Sequence, residues 1–286
     1  MSTTENSRLD ELLNEGAGAY FMASKKIASV QSPYQLIEVF DTPELGRLMR
    51  IDGCNMLSER DEFFYHENFI HPAATAHPAP QKALIIGGGD GGSAEELLKH
   101  PSITSVTLCE LDQTVVDVAK THFQSVHHDI FAHPKLDLHI GDGARYVEST
   151  AEHFDLVYLD LTDPVGLAET LYTPKFYLDC KQVLNEGGAL TLHIGSPFSH
   201  PVRVKSSIKN LRSVFKIVTP YFVHIPTYGA TWGFAVASDH LRLASIGAAE
   251  IALRLNQRAI GDRQFYNGET HHAMLALPEY IRNLIA

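Results

Sequence analysis

No part of this chain restricts its fold more than the ten residues from Ala83 to Gly92, ALIIGGGDGG. A run of aliphatic residues suits a strand buried on both faces, and the glycines that end it reach positive φ without steric cost. The stretch therefore reads as a buried strand turning tightly into a helix. Gly87, Gly89 and Gly92 satisfy G-x-G-x-x-G, and Glu110 closes the next apolar run, VTLCE, where a nucleoside- or dinucleotide-binding fold keeps an acid for ribose. Asp90 is the anomaly. A loop made for pyrophosphate, or for the α-carboxylate of a methionine moiety, gains nothing from a negative charge beside a helix N-terminus. An acid there suits a cationic ligand.

From Lys82 onward apolar strands and helical stretches alternate: KALIIG, ITSVTLCE, KLDLHI, FDLVYLD and GGALTLHIG are separated by segments such as GSAEELLKH and QTVVDVAKTHF. Parallel neighbours need crossovers, so the fold class expected is α/β, a doubly wound, Rossmann-like parallel sheet of the class I methyltransferase kind. Two later strands, in FKIVTPYFVHIPTY and WGFAVAS, fit an antiparallel hairpin at the sheet edge. Before Lys82, residues from about Gly18 to Leu57 alternate apolar and polar, as in a small antiparallel sheet of hairpins. The expected division is a β-domain over 1–57, a helix and Pro-containing joint over 58–80, and the Rossmann-like catalytic domain over 81–286. Ser58 is expected to cap the joining helix, with Asp61 three residues on.

Ligands of such sheets sit beyond the carboxyl ends of the strands. Acids stand at four successive ends: Asp90 after the first strand, Glu110 at the end of the second, Asp142 after the third, and Asp160 closing the fourth with Asp163 behind it. Singly, each has a plainer explanation, since an Asp after a strand is often a helix cap. Collected on one rim they repel one another, unless a cation compensates them.

A net charge of −11 argues against a nucleic-acid surface. Cys54, Cys109 and Cys180 are too far apart for a disulfide framework or a CxxC site. The sixteen histidines show no metal spacing: His66 and His71, five apart, lie well off a common helix face. No bound metal is expected. The polar N-terminal stretch and the absence of an apolar run long enough for a membrane span make the cytoplasm the expected location.

Beyond this pattern, several segments match a known family in order and spacing. They are IDG at Ile51 to Gly53, SERDEFFYHE from Ser58 to Glu67, LIIGGGDGG from Leu84, ELD from Glu110, GDG from Gly141, DLTDPVGLAETLY from Asp160, and IPTY from Ile225. Together they resemble the spermidine synthases, the polyamine aminopropyltransferases. The resemblance implies transfer of an aminopropyl group from decarboxylated S-adenosylmethionine, a co-substrate rather than a resident cofactor, to a small-molecule amine. Putrescine is the default acceptor and methylthioadenosine the leaving product. By matching position, Gln35 and Glu110 contact the adenosyl part, Asp142 and Gly143 hold adenine, and Leu167 lies on the donor side. Asp90 and Asp160 grip the aminopropyl ammonium. Tyr65, His66 and Asp163 face the acceptor, Tyr228 closes the far wall, and Asp160 with Tyr65 takes the proton. The resemblance also implies a gating loop over 161–173 and a homo-oligomer, dimer or tetramer, joined through the β-domain.

The chain departs from that pattern where the family commonly has Gln at Met56, Pro at Leu167 and Gln at His193. Met56 and His193 are expected on the acceptor side, where they replace amides. Met accepts hydrogen bonds poorly and His only through an unprotonated nitrogen, so cadaverine, agmatine and spermidine stay open as acceptors beside putrescine. Two other functions remain open at this stage: an S-adenosylmethionine-dependent methyltransferase, and a non-catalytic protein that binds polyamine and nucleoside.

Overall fold

The computed structural model describes residues 7–164 and 166–286; the side chain of Leu167, expected on the donor side, lies outside that description. The chain opens on an antiparallel hairpin, β1 (Ser7–Asn14) with β2 (Ala17–Ala23). A separate four-stranded antiparallel sheet follows, in the order β3 (Lys25–Gln31), β4 (Leu36–Thr42), β5 (Gly46–Ile51) and β6 (Cys54–Ser58). The expected single small sheet is thus two, and its first strand begins well before Gly18. β1 escapes a pattern search because it buries little apart from Leu9.

Helix α1 (Glu62–Ala76) leaves this region, but Ser58 is the last residue of β6 and does not cap it. Asp61 occupies the cap position without accepting a helix N–H, because its carboxylate is engaged over a long distance. It accepts from Ser58 Oγ at 2.5 Å, from the Thr227 amide at 2.6 Å and from the Thr227 hydroxyl. Pro72 lies inside α1 and cannot bond back to Asn68. The carbonyl so released accepts from the buried Tyr221 hydroxyl at 2.9 Å, which leaves no orphan in the core.

The central sheet runs β12-β13-β11-β10-β7-β8-β9. Its five parallel strands are β7 (Lys82–Gly87), β8 (Ser105–Glu110), β9 (Leu136–Ile140), β10 (Phe154–Asp160) and β11 (Leu184–Gly195), and β12 (Ile217–Ile225) and β13 (Ala230–Ser238) add the antiparallel edge. The doubly wound α/β expectation holds. Along β7, Ala83 and Ile85 enter the core on one face, and Leu84 and Ile86 that on the other. Burial on both faces is why these strands read as unbroken apolar runs.

On the first face lie α1, α2 (Gly92–Leu98) and, in the tail, α8 (Ala248–Gln257); α3 (Gln113–His122) and the short α4 (Gln124–His127) pack beside them against the small sheet. The second face carries α5 (Gly143–Ser149), α6 (Pro174–Gln182), α7 (Pro201–Arg212) and α10 (Glu279–Ile285). Helix α9 (Gly268–Leu275) starts from a capping box of Asn267 and Thr270. The last carbonyls of α1 have no helical partner, and Arg254 and Arg258 of the tail supply the donors.

Glu67 on α1 is buried and accepts three consecutive tail amides, from Gln264 at 2.5 Å, Phe265 at 2.9 Å and Tyr266 at 2.6 Å. Glu67→Gln places an amide N–H against one of those donors and removes the charge, so a loss of about 2–3 kcal/mol is expected. Urea unfolding followed by circular dichroism measures it. A midpoint equal to wild type would show that the three bonds contribute nothing.

Candidate active site

The parallel strands end in register, and the site is built on those ends. Asp160, the last residue of β10, sits opposite Gly87, the last of β7. Gly87 has φ +82°, and a Cβ there would stand 2.1 Å from the Asp160 carbonyl, so the loop turns at the one residue that fits. Gly89 and Gly92 have ordinary φ and are required by contact instead. A methyl on Gly89 would meet the Glu110 carboxylate at 2.8 Å, and one on Gly92 the His66 ring at 2.3 Å. The glycine loop thus brings β8 and α1 up against the end of β7.

A cavity of 960 Å³ opens over this rim, between the central sheet, the start of α1 and the four-stranded sheet. Gln35, Glu110, Asp112, Asp142 and Gly143 line one part of it, and Met56, Tyr65, His66, Asp90, Asp160 and Tyr228 another. Glu110 accepts from the Gly89 amide at 3.1 Å and the Asp112 amide at 2.9 Å. Burial, opposed by those two amides and reinforced by Asp112 and Asp90, pushes its carboxyl up to about 7. Asp112 accepts from Ser32 Oγ at 2.6 Å and Gln35 Nε2 at 3.1 Å, and caps α3 through the Thr114 amide. It fixes Gln35, and with it the small sheet, to the end of β8. Asp142 caps α5 through Ala144 and still lines the cavity, so capping and wall are one residue's work. Gly143 lets α5 close on the sheet, since a Cβ would lie 2.4 Å from Ile86 Cγ2.

The other part of the cavity holds a carboxylate pair with opposite tendencies. Tyr65 Oη donates to Asp160 Oδ1 at 2.9 Å and Ser93 Oγ donates to Oδ2 at 2.6 Å. His66 donates from Nδ1 to Glu62 at 2.7 Å and places Nε2 3.6 Å from Asp90. Burial works against charge on the His66 ring, but Asp90 and Glu62 outweigh it and hold the ring protonated well above its usual range. Burial pushes Asp90 up, yet the His66 cation and the Gly92 amide bring it below the ordinary carboxylate range. Asp160 is not paired with that cation. Burial first, then the charge of Asp90, raise it to about 6, and the His66 charge with the bonds from Ser93 and Tyr65 only partly offset this. Two neighbouring carboxyls divided in this way give one fixed anion and one group able to take up a proton.

Tyr228 Oη donates to the Met56 carbonyl at 3.2 Å, and both residues line the cavity. Asp163 and His193 differ from expectation: neither lines it. Asp163 is ion-paired with Arg203 at 2.7 Å, and His193 is buried, stacked on Trp232 with ring centres 6.0 Å apart. Four site residues escaped sequence reasoning. Asp61 was taken as a capping acid; Asp112 stood in the quoted ELD without a role; Ser93 and Arg203 give no signal in a single sequence.

A family model described as the spermine/spermidine synthase domain matches residues 62–246. The polyamine aminopropyltransferase of Nitrosomonas europaea is 45% identical over 276 residues, covering 96% of this chain and 85% of that protein. The chain belongs to the spermine/spermidine synthase family. Polyamine aminopropyltransferase 1 of Pseudomonas aeruginosa is 36% identical, with 98% of each chain covered. A spermidine synthase crystallised with the transition state analogue AdoDATO superposes with a TM-score of 0.92 at 31% identity, over 98% of this chain and 95% of that one. The spermidine synthase of Thermotoga maritima gives 0.89 at 30% identity, over 98% and 94%. Among the described residues no cluster of His, Cys, Asp or Glu is arranged to hold a metal ion, and no helix is long and apolar enough to cross a membrane. Membership of the spermine/spermidine synthase family and the divided carboxylate pair point to the same chemistry.

Proposed function

We propose that this chain transfers the aminopropyl group of decarboxylated S-adenosylmethionine to a small amine and releases methylthioadenosine. The observation that carries the reading is the Asp90–Asp160 pair, part-buried in the wall of the 960 Å³ cavity. The donor is positive at sulfur and at its primary ammonium and has no carboxylate, so it relieves the repulsion that raises Asp160. Gln35, Glu110, Asp142 and Gly143 are assigned to the adenosyl part, with Leu167 on the same side. Tyr65, His66, Met56 and Tyr228 border the acceptor.

The amine nitrogen uses its lone pair to attack the carbon beside sulfur; the carbon–sulfur bond breaks and its electrons leave on a neutral thioether that needs no acid. The proton shed by the amine passes to Asp160, with the Tyr65 hydroxyl orienting its carboxylate. An ordinary carboxylate is a poor base for an alkylamine, so the sulfonium charge beside the amine must lower the amine's own proton affinity before Asp160 takes the proton. Holding amine, carbon and sulfur in line supplies the remaining acceleration. A methyltransferase would have to place the carboxylate of its donor near Asp90, and a mere binding protein has no use for a base held by Tyr65 and Ser93. Product analysis with putrescine, cadaverine, agmatine and spermidine at equal concentration tests the reading. Methylthioadenosine release with at least one amine is expected, highest with putrescine; release with none sinks it.

The segment from 161 to 173, which includes a single 3-10 stretch (Gly166–Tyr172), is proposed to close over bound substrates. Limited proteolysis there should slow at least about fivefold when methylthioadenosine and putrescine are added, and unchanged cleavage would count against closure. The divisions at about 57 and 81 are proposed as domain limits, since β6 ends at Ser58 and β7 starts at Lys82. A homo-oligomer is supported by Leu12, Tyr20 and Met22, exposed together on the β1–β2 hairpin, and sedimentation as a monomer at micromolar concentration would rule it out. A cytoplasmic location accords with three unpaired cysteines and with the substrates proposed; periplasmic recovery on cell fractionation would refute it.

A further inference from the structure

Asp112 holds two acceptors of the nucleoside part of the cavity at once. Its backbone amide donates to Glu110 Oε1 at 2.9 Å, and its carboxylate accepts from Gln35 Nε2 at 3.1 Å. The Asp112 side chain is itself fixed. Oδ1 caps α3 through the Thr114 amide at 3.0 Å and Oδ2 takes the Ser32 hydroxyl at 2.6 Å, while Ser32 Oγ accepts the Tyr34 and Gln35 amides at 3.0 Å each. Asp112 is only 2% exposed. The turn from Ser32 to Gln35 is therefore clamped onto the end of β8 by a residue 77 positions beyond Gln35.

A carboxylate only accepts, so the end of the Gln35 amide that meets Asp112 is its NH2 end. The carbonyl end is left over. Among the described residues Gln35 Oε1 has no hydrogen-bond partner, and the side chain lines the cavity. Glu110 stands on the same wall, and each of its oxygens takes one amide and keeps a further lone pair. Two acceptors fixed by one residue suit two neighbouring hydroxyls, each with one proton to give.

We propose that Asp112 is a positioning residue of the nucleoside site: it turns the Gln35 carbonyl outward to accept from one hydroxyl of the donor's ribose while Glu110 accepts from the other. This rests on the aminopropyl-transfer reading above. Without Asp112 the amide is free to turn over, and an N–H facing the sugar favours a group that accepts over one that donates.

The test is calorimetry of methylthioadenosine and of its 2′-fluoro and 3′-fluoro analogues, in which fluorine replaces one hydroxyl, on the full chain. It is run at about pH 8.5, where Glu110, raised to about 7, is anionic. Losing the hydroxyl that Gln35 takes should weaken binding to wild type by about tenfold, near the upper end for one hydrogen bond. Asp112→Asn keeps a cap on α3, since Asn caps as well as Asp, but sets an N–H where Gln35 and Ser32 need an acceptor. The ratio of methylthioadenosine affinity to that of this analogue should then fall at least about fivefold, and the ratio to the other analogue should stay within about twofold. Adding Gln35→Glu to Asp112→Asn reverses the pair, because the new amide donates to the new carboxylate and the second carboxylate oxygen meets the sugar. The ratio should return to within about threefold of wild type. Equal weakening of all three ligands by Asp112→Asn marks a merely structural residue and overturns the proposal, and so does a ratio that Asp112→Asn leaves unmoved. Should Asp112→Asn fail to fold by circular dichroism, Gln35→Glu alone decides, since it sets two carboxylates together with no donor between them. It should weaken methylthioadenosine at least about fivefold, and unchanged affinity overturns the proposal. If no amine gives methylthioadenosine release, the transfer reading falls, while the affinity ratios still judge Asp112.

Discussion

Asp160→Asn is expected to lower turnover by a hundredfold or more, on the order of general-base loss, while methylthioadenosine binding stays within about threefold. Asn fills the same space and its oxygen can accept from Tyr65 or Ser93, so the end of β10 keeps its register with Gly87. What it cannot do is take a proton. The free protein should show the same point in its pH profile. With Glu110 raised to about 7 and Asp160 to about 6, both are anionic above those values, and each loses its charge as pH falls through its own. The specificity constant for donor should therefore decline below about pH 7, where Glu110, proposed to hold the ribose, is neutralised, and steepen below about pH 6, where Asp160, the proposed base, is. In Asp160→Asn the second step should vanish and the first remain. A variant with near-normal turnover, or one that retains both steps, would remove Asp160 from the role.

That profile joins two residues whose types were plain in the sequence and whose environments were not. Glu110 and Asp160 stand out as strand-end acids, because the apolar runs of β8 and β10 stop at them. Their unequal proton affinities are a matter of partners. His66, read from the chain only as one of many histidines and as a family match, turns out to lie between Glu62 and Asp90 and so decides which carboxyl stays charged. Gly89 and Gly92 show the same limit: the motif is visible, but the reason is Glu110 in one case and His66 in the other, both remote in sequence. Ser58 looked like a cap with Asp61 as its partner acid because local spacing permits it, and the Asp61 carboxylate instead bonds Thr227, 166 residues away. Asp163 was assigned by position in a motif and His193 as a departure from the family pattern, and Arg203, which no pattern announces, is ion-paired with the first and bonded to the second.

The charge left on Asp90 predicts the second large effect, on choice of donor. Glu62, His66 and Asp90 together carry two anions and one cation, so the ion pair does not cancel the negative potential at the mouth of α2. A donor ammonium is attracted there, and the α-carboxylate of intact S-adenosylmethionine is repelled. At about 4 Å and an effective dielectric near 20, a unit charge pair is worth at most about 4 kcal/mol, and desolvation together with the His66 counter-charge reduces that. Asp90→Asn is accordingly expected to weaken the decarboxylated donor by about thirtyfold and to tighten the carboxylated one by about threefold. The discrimination between them should shrink by about a hundredfold, or near 2.7 kcal/mol. Calorimetry with the two nucleosides measures this directly, without turnover. If the ratio of the two affinities moves by less than about threefold, selection against the carboxylate lies elsewhere in the cavity, and the reason offered for an acid inside the glycine loop is wrong.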